Sequence, residues 1–223
     1  MKEQAFYKTA GQAREYSFYF DLQSFIGRKI FSRKPPINNG YCNLGCGPRY
    51  LDKYVNADFF SFNILRKLLK KKQYKLDWEI DLRYKLNCKD NYFNGILLEH
   101  VLEHLNILDG IKLIKELHRI LMPGGILRIS VPSLLIYSNY YLNSIVPSEK
   151  FNMWNECRSE AMWNLTHNYG HNCVYDFKLI SKVIAESNFK KIFESSFNTS
   201  KNIMLQIDDP GRRWESLYVE AVK

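Results

Sequence analysis

Nowhere in the 223 residues is there an apolar stretch of about 18 residues, the length a bilayer-spanning helix needs. The first residues, MKEQAFYKTAGQAREY, hold no continuous apolar run, so no signal peptide is expected and the chain is expected to be cytoplasmic. There is no C-x-x-C pair. The five cysteines, at 42, 46, 88, 157 and 173, are odd in number and scattered, which argues against a disulfide framework and fits reduced thiols. Internal repeats and low-complexity tracts are also missing. What is present is 46% hydrophobic and 15% aromatic residues, enough to bury the core of one ordinary domain without staples.

Charge is uneven. The formal net charge of +9 comes from 32 Lys and Arg against 23 Asp and Glu. Residues 1–40 hold seven basic and three acidic residues, and residues 60–91 hold nine and four. Residues 145–223 balance at ten of each sign. A basic excess fits solvated surface, or a polyanionic partner such as nucleic acid, an anionic membrane surface or a phosphate-bearing substrate.

Residues 1–36 read as an N-terminal helical segment ending at Pro35-Pro36, with an apolar face at Phe18, Leu22, Phe25 and Ile26. From residue 37 to 223 a strand and helix alternation follows. Strand runs are expected at Tyr41–Leu44, Tyr54–Ala57, Trp78–Ile80, Phe93–Leu98, Ile126–Val131, Lys191–Phe193 and Ser216–Val222. Helices are expected over Phe62–Lys72, Leu108–Leu121 and Asp176–Glu186. The second of these carries apolar residues at 108, 111, 114, 117, 120 and 121 and stops at Pro123-Gly124-Gly125. Residues 134–173 lose this periodicity and are expected as an insertion over the functional edge of the sheet. The alternation predicts an α/β domain with a mostly parallel sheet.

Chemistry concentrates at the expected strand ends. The tract Asn43-Leu44-Gly45-Cys46-Gly47 follows the first strand, where glycines let the backbone approach a ligand. Asp58 closes the second strand and is suited to a ribose diol. Asp81 closes the third and can accept from an exocyclic amine while Leu82 packs on a base. Glu99 closes the fourth and Pro132 the fifth. Ligands of open α/β sheets bind at this edge.

These tracts, NLGCG, NAD, DLRYKLNCKDNYFNGILLEHVLEHL and LHRILMPGGILRISVPSL, resemble the class I S-adenosylmethionine-dependent methyltransferases, of the methyltransferase type 11 kind. The later tracts HNYGHNCVYDFKLI and DDPGRRWESLYVEAVK resemble a small bacterial branch predicted to act in cell-surface polysaccharide biosynthesis. The resemblance implies a Rossmann-like sheet of seven strands with an antiparallel last strand. It implies S-adenosylmethionine as cofactor, lying over Asn43, Gly45, Cys46 and Gly47. Asp58 then takes the ribose, Asp81 and Leu82 the adenine, and Glu99 and His100 stand near the sulfonium. Ten residues separate Gly47 from Asp58, so the first crossover is shortened and its helix is one turn or absent.

Methyl transfer to a small-molecule or saccharide acceptor needs positioning, and a base where the nucleophile is a hydroxyl. His171, His100 and Glu99 are the candidate catalytic groups, with His167 a further loop histidine. Arg212 and Arg213 can clamp an acidic group on the substrate. His100 and His104 fall in an H-x-x-E-H string, and Cys157, His167, His171 and Cys173 form a second ligand-like set. Neither set is expected to hold a metal, because the first belongs to the cofactor cleft and the second lacks a zinc spacing. Two alternatives stand beside this reading. An RNA acceptor rests on the basic excess but finds no RNA-binding module. A non-catalytic docking role rests on Arg28, Lys29, Arg33 and Lys34 beside Phe18, Phe25 and Phe31, suited to an anionic membrane surface.

Overall fold

The computed structural model describes residues 18–36, 40–61, 75–146 and 148–223. The expected helix Phe62–Lys72, with its basic cluster, lies outside the described residues.

Seven strands form one sheet: β1 (Tyr41–Leu44), β2 (Val55–Asp58), β3 (Trp78–Glu79), β4 (Phe93–Glu99), β5 (Leu121–Pro132), β6 (Lys191–Ser195) and β7 (Ser216–Val222). Their order is β3-β2-β1-β4-β5-β7-β6. Strands β1 to β5 pair in parallel, and β7 runs antiparallel to both β5 and β6. The Rossmann-like, mostly parallel sheet with an antiparallel last strand is therefore what the chain forms. The apolar run of β4 fits its central place, for Phe93, Ile96, Leu97 and Leu98 are all fully buried. Register aligns Leu44 with Ala57 and Leu98, and Asp58 with Glu79, so the strand ends share one edge.

The helices are α1 (Phe18–Ile26), α2 (Ile107–Ile120), α3 (Leu134–Tyr141), α4 (Glu149–Trp154), α5 (Arg158–Thr166) and α6 (Phe177–Ala185). Asn106 caps α2 by accepting from the Asp109 N–H, and Asp176 caps α6 by accepting from the Leu179 N–H. The buried face of α2 is Gly110, Leu113, Ile114, Leu117 and Ile120. Leu108, expected on that face, is 66% exposed, because the cap at Asn106 sets the rotation and leaves it on the solvent side. No helix joins β1 to β2, whose parallel connection is made of turns, as the short spacing requires.

Residues 134–166 carry their own small apolar cluster, in which Tyr137, Tyr140, Phe151, Ala161 and Leu165 are buried together. Tyr140 stacks on Phe151 at 4.4 Å, and Trp214 meets Phe151 edge-on at 4.7 Å. On the other side of the sheet centre, the fully buried Arg128 of β5 binds Asp208 through Nε at 2.7 Å and Glu220 through Nη1 at 3.0 Å. The same guanidinium donates to the carbonyls of Thr199 and Ser196. It thereby fastens the long β6–β7 connection to the sheet.

Of the N-terminal segment, residues 18–31 are helical, residues 1–17 lying outside the described residues, but the helix does not dock through the face its apolar spacing suggests. Phe18, Leu22 and Phe25 are exposed, at 76%, 42% and 54%. The contacts run instead through Phe20, which stacks on Phe59 at 4.2 Å, and Gln23, which donates to the Phe60 carbonyl. Ser24 donates to Asp81, and Asp21 pairs with Arg83 at 2.8 Å. A wider turn over Gly27–Phe31 continues α1, and a Cβ on Gly27 would lie 2.3 Å from the Phe60 ring. One aromatic stack, a set of polar groups and one close glycine contact make the docking, so a count of apolar spacing misses it. Among the described residues, no helix is long and apolar enough to cross a membrane.

Candidate functional site

A cavity of about 330 Å³ opens at the carboxyl edge of the sheet. Its β1–β3 side is lined by Gly45, Asp58, Phe59, Ile80, Asp81 and Leu82. Its β4 side is lined by His100, Val101, His104 and Leu105, with Tyr169 and Gly170 from the end of the 134–173 stretch. Phe20 of α1 and Arg83 complete the wall.

Gly45 adopts φ +71°, and a Cβ there would fall 2.3 Å from Val101 Cγ2. The turn therefore needs glycine for its conformation and for its close approach to the loop after β4. Gly47 also has a left-handed φ, +51°, with open space where a Cβ would be, and its N–H donates to Asp58 Oδ2 at 2.6 Å. Asp58 takes a second backbone donor, the Phe59 N–H, on Oδ1 at 2.6 Å. An ionised carboxylate has about four acceptor sites, so Asp58 keeps capacity toward the cavity it lines.

Asp81 is more heavily engaged. It is 5% exposed and accepts from Ser24, from the Arg83 backbone at 3.0 Å and from Arg83 Nη2 at 2.7 Å. Ile80, Leu82 and the Phe20–Phe59 pair supply apolar surface beside it.

The remaining residues of the glycine tract serve the turn from behind. Asn43 is buried and donates to the Arg49 carbonyl at 2.8 Å and to Asn56 Oδ1 at 3.2 Å. Cys46 is buried. Burial first, then the neighbouring Asp58 carboxylate, push its thiol up to about 12, so it stays protonated. Asn43, Cys46 and Gly47 do not line the cavity; Gly45 does.

Glu99, at the end of β4, turns away from the cavity. It forms an ion pair with Arg49 and accepts from the Asp209 N–H at 2.7 Å. Burial raises its carboxyl above the ordinary value against the pull of those two donors. His100 follows with φ +51°, a conformation that turns its ring into the site. Its Nε2 lies 2.7 Å from Ser216 Oγ, whose own hydroxyl donates to the Arg212 carbonyl, so the imidazole is the donor of the pair. Its Nδ1 is 3.4 Å from Glu103 Oε1. Burial works against a charge on His100, but Glu103 outweighs it and raises the pKa above the ordinary histidine value.

Glu103 and His104 lie on a single tight turn, Leu102–His104, not on the continuous helix that an H-x-x-E-H face requires. The Asn172 and Cys173 N–H groups both donate to the Glu103 carbonyl, at 2.7 and 3.0 Å, and Asn172 Nδ2 donates to the His104 carbonyl at 2.9 Å. This seam brings His171 against His104, with ring centroids 5.0 Å apart. His171 sits behind the cavity wall, its Nδ1 on the Leu165 carbonyl at 2.8 Å. His167 is exposed beside Thr166, and Cys157 is exposed, so the set Cys157, His167, His171 and Cys173 is not brought to one point. Arg212 pairs with Glu215 at 2.9 Å, and Arg213 lies over the Phe197 ring.

Residues that sequence reasoning passed over include Phe20, Phe59, Arg83, Tyr169 and Gly170. Phe59 and Arg83 adjoin acids already singled out, which was the available signal. The other three reach the cavity only through tertiary packing.

A sheet of this order, a glycine turn after β1 and carboxylates after β2 and β3 place the cavity where open α/β sheets bind nucleotide ligands. Residues 42–129, well under half of the chain, match the family model described as a methyltransferase domain. Over those residues the chain is similar to a methyltransferase domain, and S-adenosylmethionine is the cofactor of that class. The donor set fits the cofactor: a cradle at Gly45 with no room for a Cβ, a carboxylate with spare acceptor capacity, and apolar walls for a base. The fold is shared with a methyltransferase from Archaeoglobus fulgidus described as dependent on that cofactor, at 14% identity, TM-score 0.50, and coverage of 93% of this chain and 100% of that one. Similarity to a solved S-adenosylmethionine-dependent methyltransferase from Mesorhizobium loti is weaker, at 18% identity and TM-score 0.48, covering 84% of this chain and 93% of that one. No curated protein matches the sequence.

Proposed function

We propose that the chain transfers a methyl group in line to a small-molecule or saccharide acceptor, in cell-surface polysaccharide biosynthesis. The observation that carries this reading is one cavity with two unlike walls, carboxylates and apolar groups on one side and histidines on the other. When bound, S-adenosylmethionine supplies an electrophilic methyl on a sulfonium. The chain's own work is to place it and the acceptor in line and to exclude water. Gly45 and Asp58 hold the nucleoside end, with Asp81 and Leu82 beside the base. Among His171, His100 and Glu99, only His100 lines the cavity, and we favour it as the group that orients the acceptor, its ring held between Ser216 on Nε2 and Glu103 on Nδ1. His171 then positions the wall, and Glu99 braces β4 against Arg49.

The test is calorimetric titration with S-adenosylhomocysteine, followed by labelled-methyl incorporation into nucleotide-sugar, glycan and RNA pools. Micromolar binding and label in the saccharide pools are expected. No binding at millimolar ligand would sink methyl transfer, and label confined to RNA would sink the saccharide acceptor. His100→Asn keeps a residue tolerant of the left-handed conformation. It is expected to lower turnover about a hundredfold.

A further inference from the structure

Methyl transfer as drawn above leaves Glu103 only a supporting part, yet its environment is unusual. The residue is 1% exposed, and its carboxylate has no aligned hydrogen bond among the described residues, only the ion-pair contact of His100 Nδ1 at 3.4 Å. A buried carboxylate left in this state is costly unless a cation faces it. Two histidines besides His100 stand around it. One ligand atom from each of Glu103, His104 and His171 lies within 4.8 Å of the others.

The imidazoles are already oriented from outside. His171 Nδ1 is 2.8 Å from the Leu165 carbonyl, and His104 Nδ1 is 3.4 Å from the Gly170 carbonyl. A carbonyl only accepts, so each Nδ1 carries the proton and each Nε2 keeps its lone pair. His104 Nε2 lies 4.0 Å from Glu103 Oε1. Metal-binding histidines are held by this same arrangement, one ring nitrogen on a carbonyl and the other on the ion.

We propose that Glu103, His104 and His171 bind one divalent transition-metal ion of the Zn²⁺ type. Two neutral imidazoles and one carboxylate suit such an ion. Bonds of about 2.1 Å would draw the three ligand atoms together by roughly 1 Å, within reach of side-chain rotation. Three protein ligands leave a position open, and His104, Tyr169 and Gly170 put that position on the cavity side. There the ion would hold an acceptor oxygen and ease loss of its proton. That use rests on the methyl-transfer reading; the binding of the ion does not.

The experiment strips the full chain with a chelator and titrates it with Co²⁺, read by visible absorption, then displaces the Co²⁺ with Zn²⁺. One ion per chain is expected, with a Co²⁺ band that Zn²⁺ removes. His104→Gln and His171→Gln are each expected to weaken Co²⁺ binding by at least about tenfold, whereas the exposed His167→Gln leaves it unchanged. Because the His104 side chain is 41% exposed, its variant keeps the test decisive if the more buried one fails to fold. Absence of a band at millimolar Co²⁺, or equal affinity in the parent and the His104 variant, overturns the site. S-adenosylhomocysteine binding is measured on the same samples. Co²⁺ binding without it would overturn the methyl-transfer reading alone, and the reverse would overturn the metal site alone.

Discussion

On the β1–β3 side of the cavity, the two acids answer mainly to close neighbours in the chain or across one strand, with α1 adding Ser24 and Asp21 from outside. Asp58 takes the N–H groups of Gly47 and Phe59, and Asp81 takes the backbone and side chain of Arg83 two residues on. On the β4 side, the partners are far apart in sequence. His100 meets Ser216 and Glu103 meets His171, through a seam of three hydrogen bonds to residues 172 and 173. The first wall is assembled locally and carries its acids satisfied. The second is assembled by long-range closure and leaves in its middle a buried carboxylate that only histidines face. The nucleoside wall proposed above needs one fixed geometry, and local encoding suits it. A wall facing the acceptor can change its chemistry by altering the segment that closes it.

The sharpest break in this contrast is Gly45→Val. A β-branched residue at φ +71° adds about 1–3 kcal/mol of strain, and its Cβ would collide with Val101. Loss of measurable S-adenosylhomocysteine binding and a lower thermal midpoint are expected together, by calorimetry and circular dichroism. Normal binding would show that the turn does not touch the nucleoside. Next is Asp58→Asn, which weakens two charge-assisted bonds and the proposed diol contact. Affinity should fall by roughly ten- to a hundredfold, at about 1.5–3 kcal/mol per bond to a charged group. Turnover at saturating cofactor should change far less. The smallest effect is expected from Asn172→Ala, which removes the bond to the His104 carbonyl, at about 1 kcal/mol. Turnover should drop a few-fold while S-adenosylhomocysteine affinity stays put. A fall in that affinity instead would erase the division between the walls.

The same division explains what could be read ahead of the fold. Gly45, Asp58, Asp81 and Leu82 stand at strand ends, and strand ends are marked by short runs of apolar residues, so their common edge was legible. His100 was legible as the residue after β4, but its left-handed backbone was not. Glu103 and His104 were visible only as a helical metal string. The turn at Leu102–His104 removes that helix, and His171, placed some seventy residues away by tertiary closure, supplies the contact instead. The apolar face of residues 18–26 misled for a related reason. Docking depends on Ser24, Gln23 and Gly27, which no hydrophobic period reports.

The Ser24–Asp81 contact has a thermodynamic corollary. Asp81 lines the cavity while its carboxylate also anchors α1, and Phe20 of that helix forms part of the same wall. A ligand drawn to this wall and the helix that covers it share one group, so their equilibria are linked and the linkage is reciprocal. Whatever factor the bound nucleoside adds to the docking constant of α1, the docked helix returns to the nucleoside. Protease protection at residues 18–31 would therefore serve as a titration curve for the cofactor.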